Sequence, residues 1–345
     1  MTSGVDRLAA AAAGHPCDRI PVFCNLLDQG AREMGVPMRT YYQSPELVAE
    51  AQLRMRERWG YDNLWSLFYV GKEAEFFGCR DILFADDGPP NVAEFVIGEP
   101  ADIARLHVPD DIFGHPAFDS ARRCIGILRA ESGGRWPICA YLTASMSLPA
   151  MLMGMDKWLA LLMMGPFDLR DALLEKCSDF FRKQVAAYRA AGADVLLYSN
   201  PFGSLDIVTP RMFRQLSLPW MKRDLGPVGV KDMVYYCGSA RINKVMEDVI
   251  SELGMSAFYI SPLEDVAEAK RIAAGRALIA GTIDDIKIAN WTPDQVRAEV
   301  RRVIEAGMPG GRFLFGTLLM PLSIPEINIA ALLDAAFDAG RGGWS

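Results

Sequence analysis

The sequence predicts an α/β fold, a (β/α)8 TIM barrel with a β-hairpin insertion after its second strand. Three observations lead there. Short β-rich runs recur eight times with helical patterns between them. Those runs are almost continuously hydrophobic, as strands covered on both faces must be. The chain, 345 residues at 51% hydrophobic content, can bury a core of barrel size, and no linker or repeat divides it. Residues 1–345 therefore read as a single domain.

The predicted strands are 20–24, 63–69, 137–143, 194–199, 232–237, 256–260, 277–281 and 312–316. Between the second and third, ILFADDGPPNVAEFVI departs from the rhythm and reads as two short strands around a Gly-Pro turn, so residues 79–99 are placed as the inserted hairpin. Among the helices, Thr292-Pro293-Asp294-Gln295-Val296 carries the clearest start signal. Thr292 caps, Pro293 suits the first turn, Val296, Val300 and Val303 form a buried stripe, and Gly307 stands where the pattern stops.

Composition excludes several classes. A net charge of −7 and no basic cluster argue against a nucleic-acid partner. No apolar stretch is long enough to span a bilayer and no signal core opens the chain, so a cytoplasmic protein is expected. Seven cysteines without CxxC pairs suit reduced thiols.

In a barrel of this kind the site lies at the C-terminal ends of the strands. Asn25 and Asp28 follow the first strand and Tyr69 ends the second, with Lys72, Glu73 and Glu75 beyond it. Asn200 follows the fourth, Tyr235 and Cys237 end the fifth, and Asp284 and Asp285 follow the seventh. Cys237 reads either as a packed thiol or as a zinc ligand, but the three histidines, His15, His107 and His115, all lie away from predicted strand ends. Met146, Met151, Met153, Met155, Met163 and Met164 form a cluster that packs helices or floors an apolar pocket, Met146 lying nearest the mouth.

The segments DRIPVF, EAEFFGC, AGADVLLYSNPFGSLDIVTPRMF, YYCGSARINKVMEDVISELGMSAFYISPLEDVAEAKRIAAGRALIAGTID and GGRFLFGTLLMPLSIPEINIAALLDA together resemble the uroporphyrinogen decarboxylase superfamily over nearly the full chain. The resemblance implies the same barrel. It also separates two branches. Leu26, Tyr69, Ala150, Asn200 and Leu318 fall where true uroporphyrinogen decarboxylases carry the arginine, aspartate, tyrosine, serine and histidine of their site, so tetrapyrrole decarboxylation is excluded. The other branch, the corrinoid-dependent methyltransferases, carries a His-x-Cys zinc motif and a later Cys. Cys237 matches its first Cys, Tyr235 replaces its His, and Leu318 replaces its second Cys.

The resemblance thus implies a methyltransferase moving a methyl group between a small substrate, such as an aromatic methyl ether, and cobalamin on a separate corrinoid protein. Zinc is retained only if Cys237 recruits other ligands such as Cys24, Asp28 or Glu73. Tyr69, Tyr235 and Cys237 are the catalytic candidates, stabilising a departing oxygen or sulfur. Asn25, Asp28, Asn200, Met146 and Leu318 are placed on the substrate side. Two alternatives stand beside this reading. One is a decarboxylase or lyase of a small substrate, for which Lys72, Arg32 and Arg241 are the candidate cations; the other is a non-catalytic barrel that binds a partner. Family members often pair, so a homodimer is expected.

Overall fold

The computed structural model describes residues 2–341. Ten strands occur in it: β1 (Val22–Asn25), β2 (Leu64–Trp65), β3 (Ile82–Leu83), β4 (Asn91–Val92), β5 (Ile138–Thr143), β6 (Val195–Ser199), β7 (Met233–Tyr236), β8 (Ala257–Tyr259), β9 (Leu278–Gly281) and β10 (Phe313–Leu319). Eight form one sheet in the order β1-β10-β9-β8-β7-β6-β5-β2, every neighbouring pair parallel. The two remaining strands, β3 and β4, pair antiparallel between β2 and β5, with Ile82 opposite Val92.

Side chains, with one backbone bond from the Asp62 N–H to the Val22 carbonyl at 2.8 Å, close the gap between β1 and β2. Asn63 accepts from the Cys24 N–H at 2.9 Å and donates back to the Cys24 carbonyl at 3.3 Å, which also receives the Trp65 indole N–H at 2.8 Å. Below this seam, Asp62 is fully buried and bound by Arg7 at 2.9 Å, by Arg19 and by the Val22 N–H at 2.8 Å. These bonds tie the starts of both strands to the N-terminal helix Gly4–Ala13. That helix covers the N-terminal end of the barrel, where Leu8, Ala12, Phe23, Leu197 and Leu314 help line an apolar cavity of about 150 Å³.

Observed boundaries differ from the expected ones mainly in the second and last strands. Only Leu64 and Trp65 find ladder partners, Ile138 and Cys139. The apolar residues Leu67 and Tyr69 are buried in the following loop instead, because hydrophobicity reports burial and not pairing. The last strand runs on to Leu319, which pairs with Asn25. The helix Pro293–Gly307 starts at a full capping box between Thr292 and Gln295. Gly307 closes it by allowing contact, since a Cβ there would lie 2.0 Å from the Phe313 ring.

Alternation along the strands sorts the tyrosines. Tyr235 pairs in register with Tyr198 and Phe258, and their rings lie 6.0 and 5.9 Å from its own. Tyr198 meets Phe181 of the helix Phe167–Ala191 at 5.2 Å, so this row faces the helix layer. The alternate row, Tyr141, Tyr236 and Tyr259, faces the barrel interior.

Candidate active site

Aromatic rings line the upper interior. Trp65 stacks on Tyr141 at 4.9 Å and 15°, and Phe68 covers the same tyrosine at 5.0 Å. Tyr236 meets Tyr141 edge-on at 5.2 Å across the intervening strand β6, and meets Tyr259 at 5.6 Å. Gly316 makes room for this arrangement, because any Cβ there would sit 2.7 Å from the Tyr259 ring. Tyr141 and Tyr236 keep 5% and 8% exposure, so the rings are buried yet not sealed.

Polar groups hold the rings in place. The Asn25 side-chain amide donates to the Tyr141 hydroxyl at 2.9 Å, while the Asn25 N–H is fixed by Thr317 at 2.8 Å. Tyr141 in turn meets Tyr236 edge-on. Burial pushes the Tyr236 phenol up to about 12, against the lowering effect of Tyr141. Asp285, after β9, lies close enough for its charge to be felt at Tyr236. Its own carboxyl is pushed up to about 6, first by burial and further by Asp284.

The predicted site residues distribute over three places. Asn25 belongs to the aromatic interior, where it orients Tyr141. Asp28 is buried at the end of β1 and accepts from the Tyr42 hydroxyl, with burial raising its carboxyl to about 6. Tyr69 lies beside Tyr42 at 5.7 Å and donates to Glu75, which also pairs with Lys72 at 2.9 Å. Its pocket is a separate cleft of about 620 Å³ lined by Arg39, Tyr42, Lys72, Phe84 and Arg123. Tyr69 is therefore not at the centre of the mouth.

Tyr235, Cys237 and Asn200 form the third place, inside the wall. Tyr235 is fully buried, its hydroxyl 3.5 Å from the Asn200 amide, and the Cys237 thiol donates to the Asn200 carbonyl at 3.6 Å. Burial pushes both the thiol and the phenol up, the opposite of what a reactive thiolate needs. Met146 is buried too, its carbonyl taken by Trp158 at 3.0 Å. Met155, Met163 and Met164 are exposed on the helix Met155–Met164, whereas Met153 is buried in the core and Met151 packs against it. Leu318 is buried near the end of β10.

The residues do not fit a zinc thiolate centre. Tyr235 and Leu318 contribute no ligand of the required type, and among the described residues no three His, Cys, Asp or Glu side chains are grouped to hold a metal. Cys24, Asp28 and Glu73 do not join Cys237 in such a group. Glu73 is instead buried against β5, where it accepts from the Thr143 N–H at 2.9 Å.

Cations near the strand ends are engaged elsewhere. Lys72 pairs with Glu75, Arg241 with Asp206 at 2.6 Å and Lys287 with Asp284 at 3.0 Å. Arg32 caps the carbonyls of Leu322 and Ile324. Each of these four cations is thus engaged with a partner of its own. Sequence reading missed Trp65, Phe68, Tyr141 and Tyr236. Strand parity was the usable signal, since in Tyr235-Tyr236 only one of two adjacent residues can face inward.

A parallel eight-stranded barrel with aromatic and titratable side chains at its strand C-termini has the architecture of a small-molecule enzyme. The chain belongs to the uroporphyrinogen decarboxylase (URO-D) family, whose model matches residues 4–338. Among curated proteins it is similar to the methylcobamide:CoM methyltransferase MtaA of Methanosarcina barkeri, at 24% identity over 95% of this chain and 96% of that one. The methylcobamide:CoM methyltransferase MtbA of Methanosarcina mazei is 23% identical over 96% of each. A uroporphyrinogen decarboxylase of Cupriavidus necator is 23% identical over 85% of this chain and 82% of its own. A solved methyltransferase from Methanosarcina mazei superposes with a TM-score of 0.83 at 22% identity, covering 98% of this chain and 99% of that one. Within the described residues no helix is long and apolar enough to cross a membrane.

Proposed function

We propose that this chain is a methyltransferase that moves a methyl group between a small molecule held at the aromatic barrel mouth and cobalamin carried by a separate corrinoid protein. The observation that carries this is the ring of Trp65, Phe68, Tyr141 and Tyr236 at the catalytic end of a barrel, together with near full-length likeness to methylcobamide methyltransferases. An aromatic methyl ether matches the aromatic, apolar character of these strand ends. The corrinoid supplies the nucleophilic or methyl-bearing cobalt.

This chain's residues bind and orient. Asn25 holds Tyr141, and the Tyr141 ring in turn packs against Tyr236. An un-ionised Tyr236 hydroxyl can donate to a departing oxygen. Tyr235 and Cys237 act from behind, fixing the end of β7 through Asn200, and Tyr69 shapes the neighbouring cleft.

A decarboxylase reading is weaker because Lys72, Arg32 and Arg241 are committed to partners away from the aromatic centre. The test is to mix purified protein with chemically reduced cobalamin and methoxybenzene and follow loss of the reduced cobalamin spectrum. Acceleration above buffer is expected, falling about tenfold or more in Tyr236→Leu. No acceleration with any methyl donor offered would defeat the proposal.

A further inference from the structure

We infer that the N-terminal end of the barrel holds a second ligand site, for a small aromatic acid whose ring enters the barrel interior below Tyr259 and whose anionic group stays at the opening beside Lys231. The inference goes beyond methyl transfer and stands apart from it.

The interior of a (β/α)8 barrel is ordinarily filled by layers of bulky side chains from alternate strands. Here one layer is short of volume. Val234 and Ala257 precede Tyr236 and Tyr259 by two residues, so they point inward on the same row. Ladder register sets Leu278 opposite Ala257 and Ala280 opposite Tyr259, with Leu314 opposite Ala280 on the next strand. Alanine at 257 and 280 and valine at 234 leave the apolar cavity of about 150 Å³ that these residues line together with Tyr259. An apolar cavity of about that volume accepts a benzene molecule. Tyr259 also meets Tyr236, so it belongs both to the cavity wall and to the aromatic cluster of the mouth.

The cavity reaches the surface. Val234 and Ala257 face inward yet are only half-buried, and Leu8, Ala12, Asp194, Lys231 and Asp232 line both the cavity and a wider groove of about 1000 Å³ beside the helix Gly4–Ala13. A ring can therefore enter from this end without passing the mouth.

Charge at the opening selects the substituent on that ring. Asp194 pairs with Arg129 at 2.7 Å and Asp232 with Arg189 at 2.5 Å. Lys231 is exposed, and among the described residues no carboxylate pairs with it. Two neutralised aspartates and one uncompensated ammonium leave the opening positive, so a carboxylate held there gains Coulomb energy while keeping its hydration. Deeper in, the same carboxylate would lose its hydration to an apolar wall. The ring therefore points inward and the anion outward.

The experiment titrates benzoate and its uncharged analogue benzamide into the full-length protein by calorimetry at low salt. Benzoate should bind severalfold more tightly, and the gap should close as salt rises. Lys231→Met, a change at the surface, should bring benzoate down to the level of benzamide. Ala280→Leu fills the cavity and should abolish binding of both compounds, with urea unfolding of the same preparation showing that the variant is folded. Ala257→Val, a smaller addition to the same cavity, should weaken both in the same sense and guards against a folding artefact. Equal binding of the two compounds, binding unchanged by both filling variants, a benzoate preference that survives Lys231→Met, or no binding to the wild type overturns the site.

Discussion

Buried titratable groups at the strand ends set individual, measurable properties. Asp28 has a folded-state value near 6 against an ordinary 3.8, because burial disfavours its charge. The folded protein therefore holds a proton that the unfolded chain has released across that window, and stability falls as pH rises through it. Above about pH 6 the cost levels off near 3 kcal/mol. Asp28→Asn removes the titration while keeping an acceptor for Tyr42. Its stability relative to wild type, from urea unfolding, should climb between about pH 4 and about pH 7 by an amount of that order. A difference that stays flat with pH would show that Asp28 is not the group responsible. Cys237 makes the contrasting case. With its thiol pushed up by burial and bonded to Asn200, zinc content should be low and equal in wild type and Cys237→Ser, as read by elemental analysis. Near-stoichiometric zinc lost in the variant would mean that the site rearranges to recruit ligands. Residue types at 235 and 318 made the broken motif legible in the sequence, whereas which of Tyr235 and Tyr236 faces the ligand was not legible. That choice depends on strand register, which three-dimensional neighbours decide.

Elements were readable where local chemistry sets them and unreadable where partners do. The capping box at Thr292 and Gln295 needs no tertiary contact, and its helix begins at the predicted residue. Strand β2 is the opposite case. Its apolar run continues to Tyr69, but its pairing ends at Trp65 although β5 runs on to Thr143, because the chain after Trp65 leaves the sheet while its side chains stay buried. Glycines in β10 and in the helix before it show a further dependence on packing. Gly316 lies under the Tyr259 ring and Gly307 against Phe313, and neither needs a left-handed backbone. Gly316→Ala should destabilise by about 1–3 kcal/mol through overpacking. It should also tilt Tyr259 into Tyr236, so methyl transfer to reduced cobalamin should slow as stability falls. A variant that loses stability in denaturant melts but keeps the transfer rate would separate the barrel floor from the mouth.

At the scale of the whole barrel, closure depends on one weak seam. Seven of the eight junctions are backbone ladders, while β1 and β2 are joined through the Asn63 and Trp65 side chains and a backbone bond from the Asp62 N–H to the Val22 carbonyl. The same strand, β1, delivers Asn25 to Tyr141, so seam and site are mechanically linked. Asn63 serves the Cys24 N–H as acceptor and the Cys24 carbonyl as donor, both buried. In Asn63→Ala the carbonyl keeps the Trp65 indole, but the N–H is left unsatisfied at a cost of about 1–3 kcal/mol. Asn63→Asp keeps an acceptor for the N–H and sets a carboxylate against the carbonyl, so it should be destabilised more at neutral than at acid pH. Native-state hydrogen exchange gives the decisive reading. The Cys24 amide should exchange faster in Asn63→Ala, and the loosening should extend to Asn25, which Thr317 holds on the other side of the strand. Acceleration confined to Cys24 would mean that the β1–β10 ladder alone holds the strand. Acceleration reaching Asn25, with weakened ligand binding, would show that the aromatic mouth is organised by the closure of the barrel beneath it.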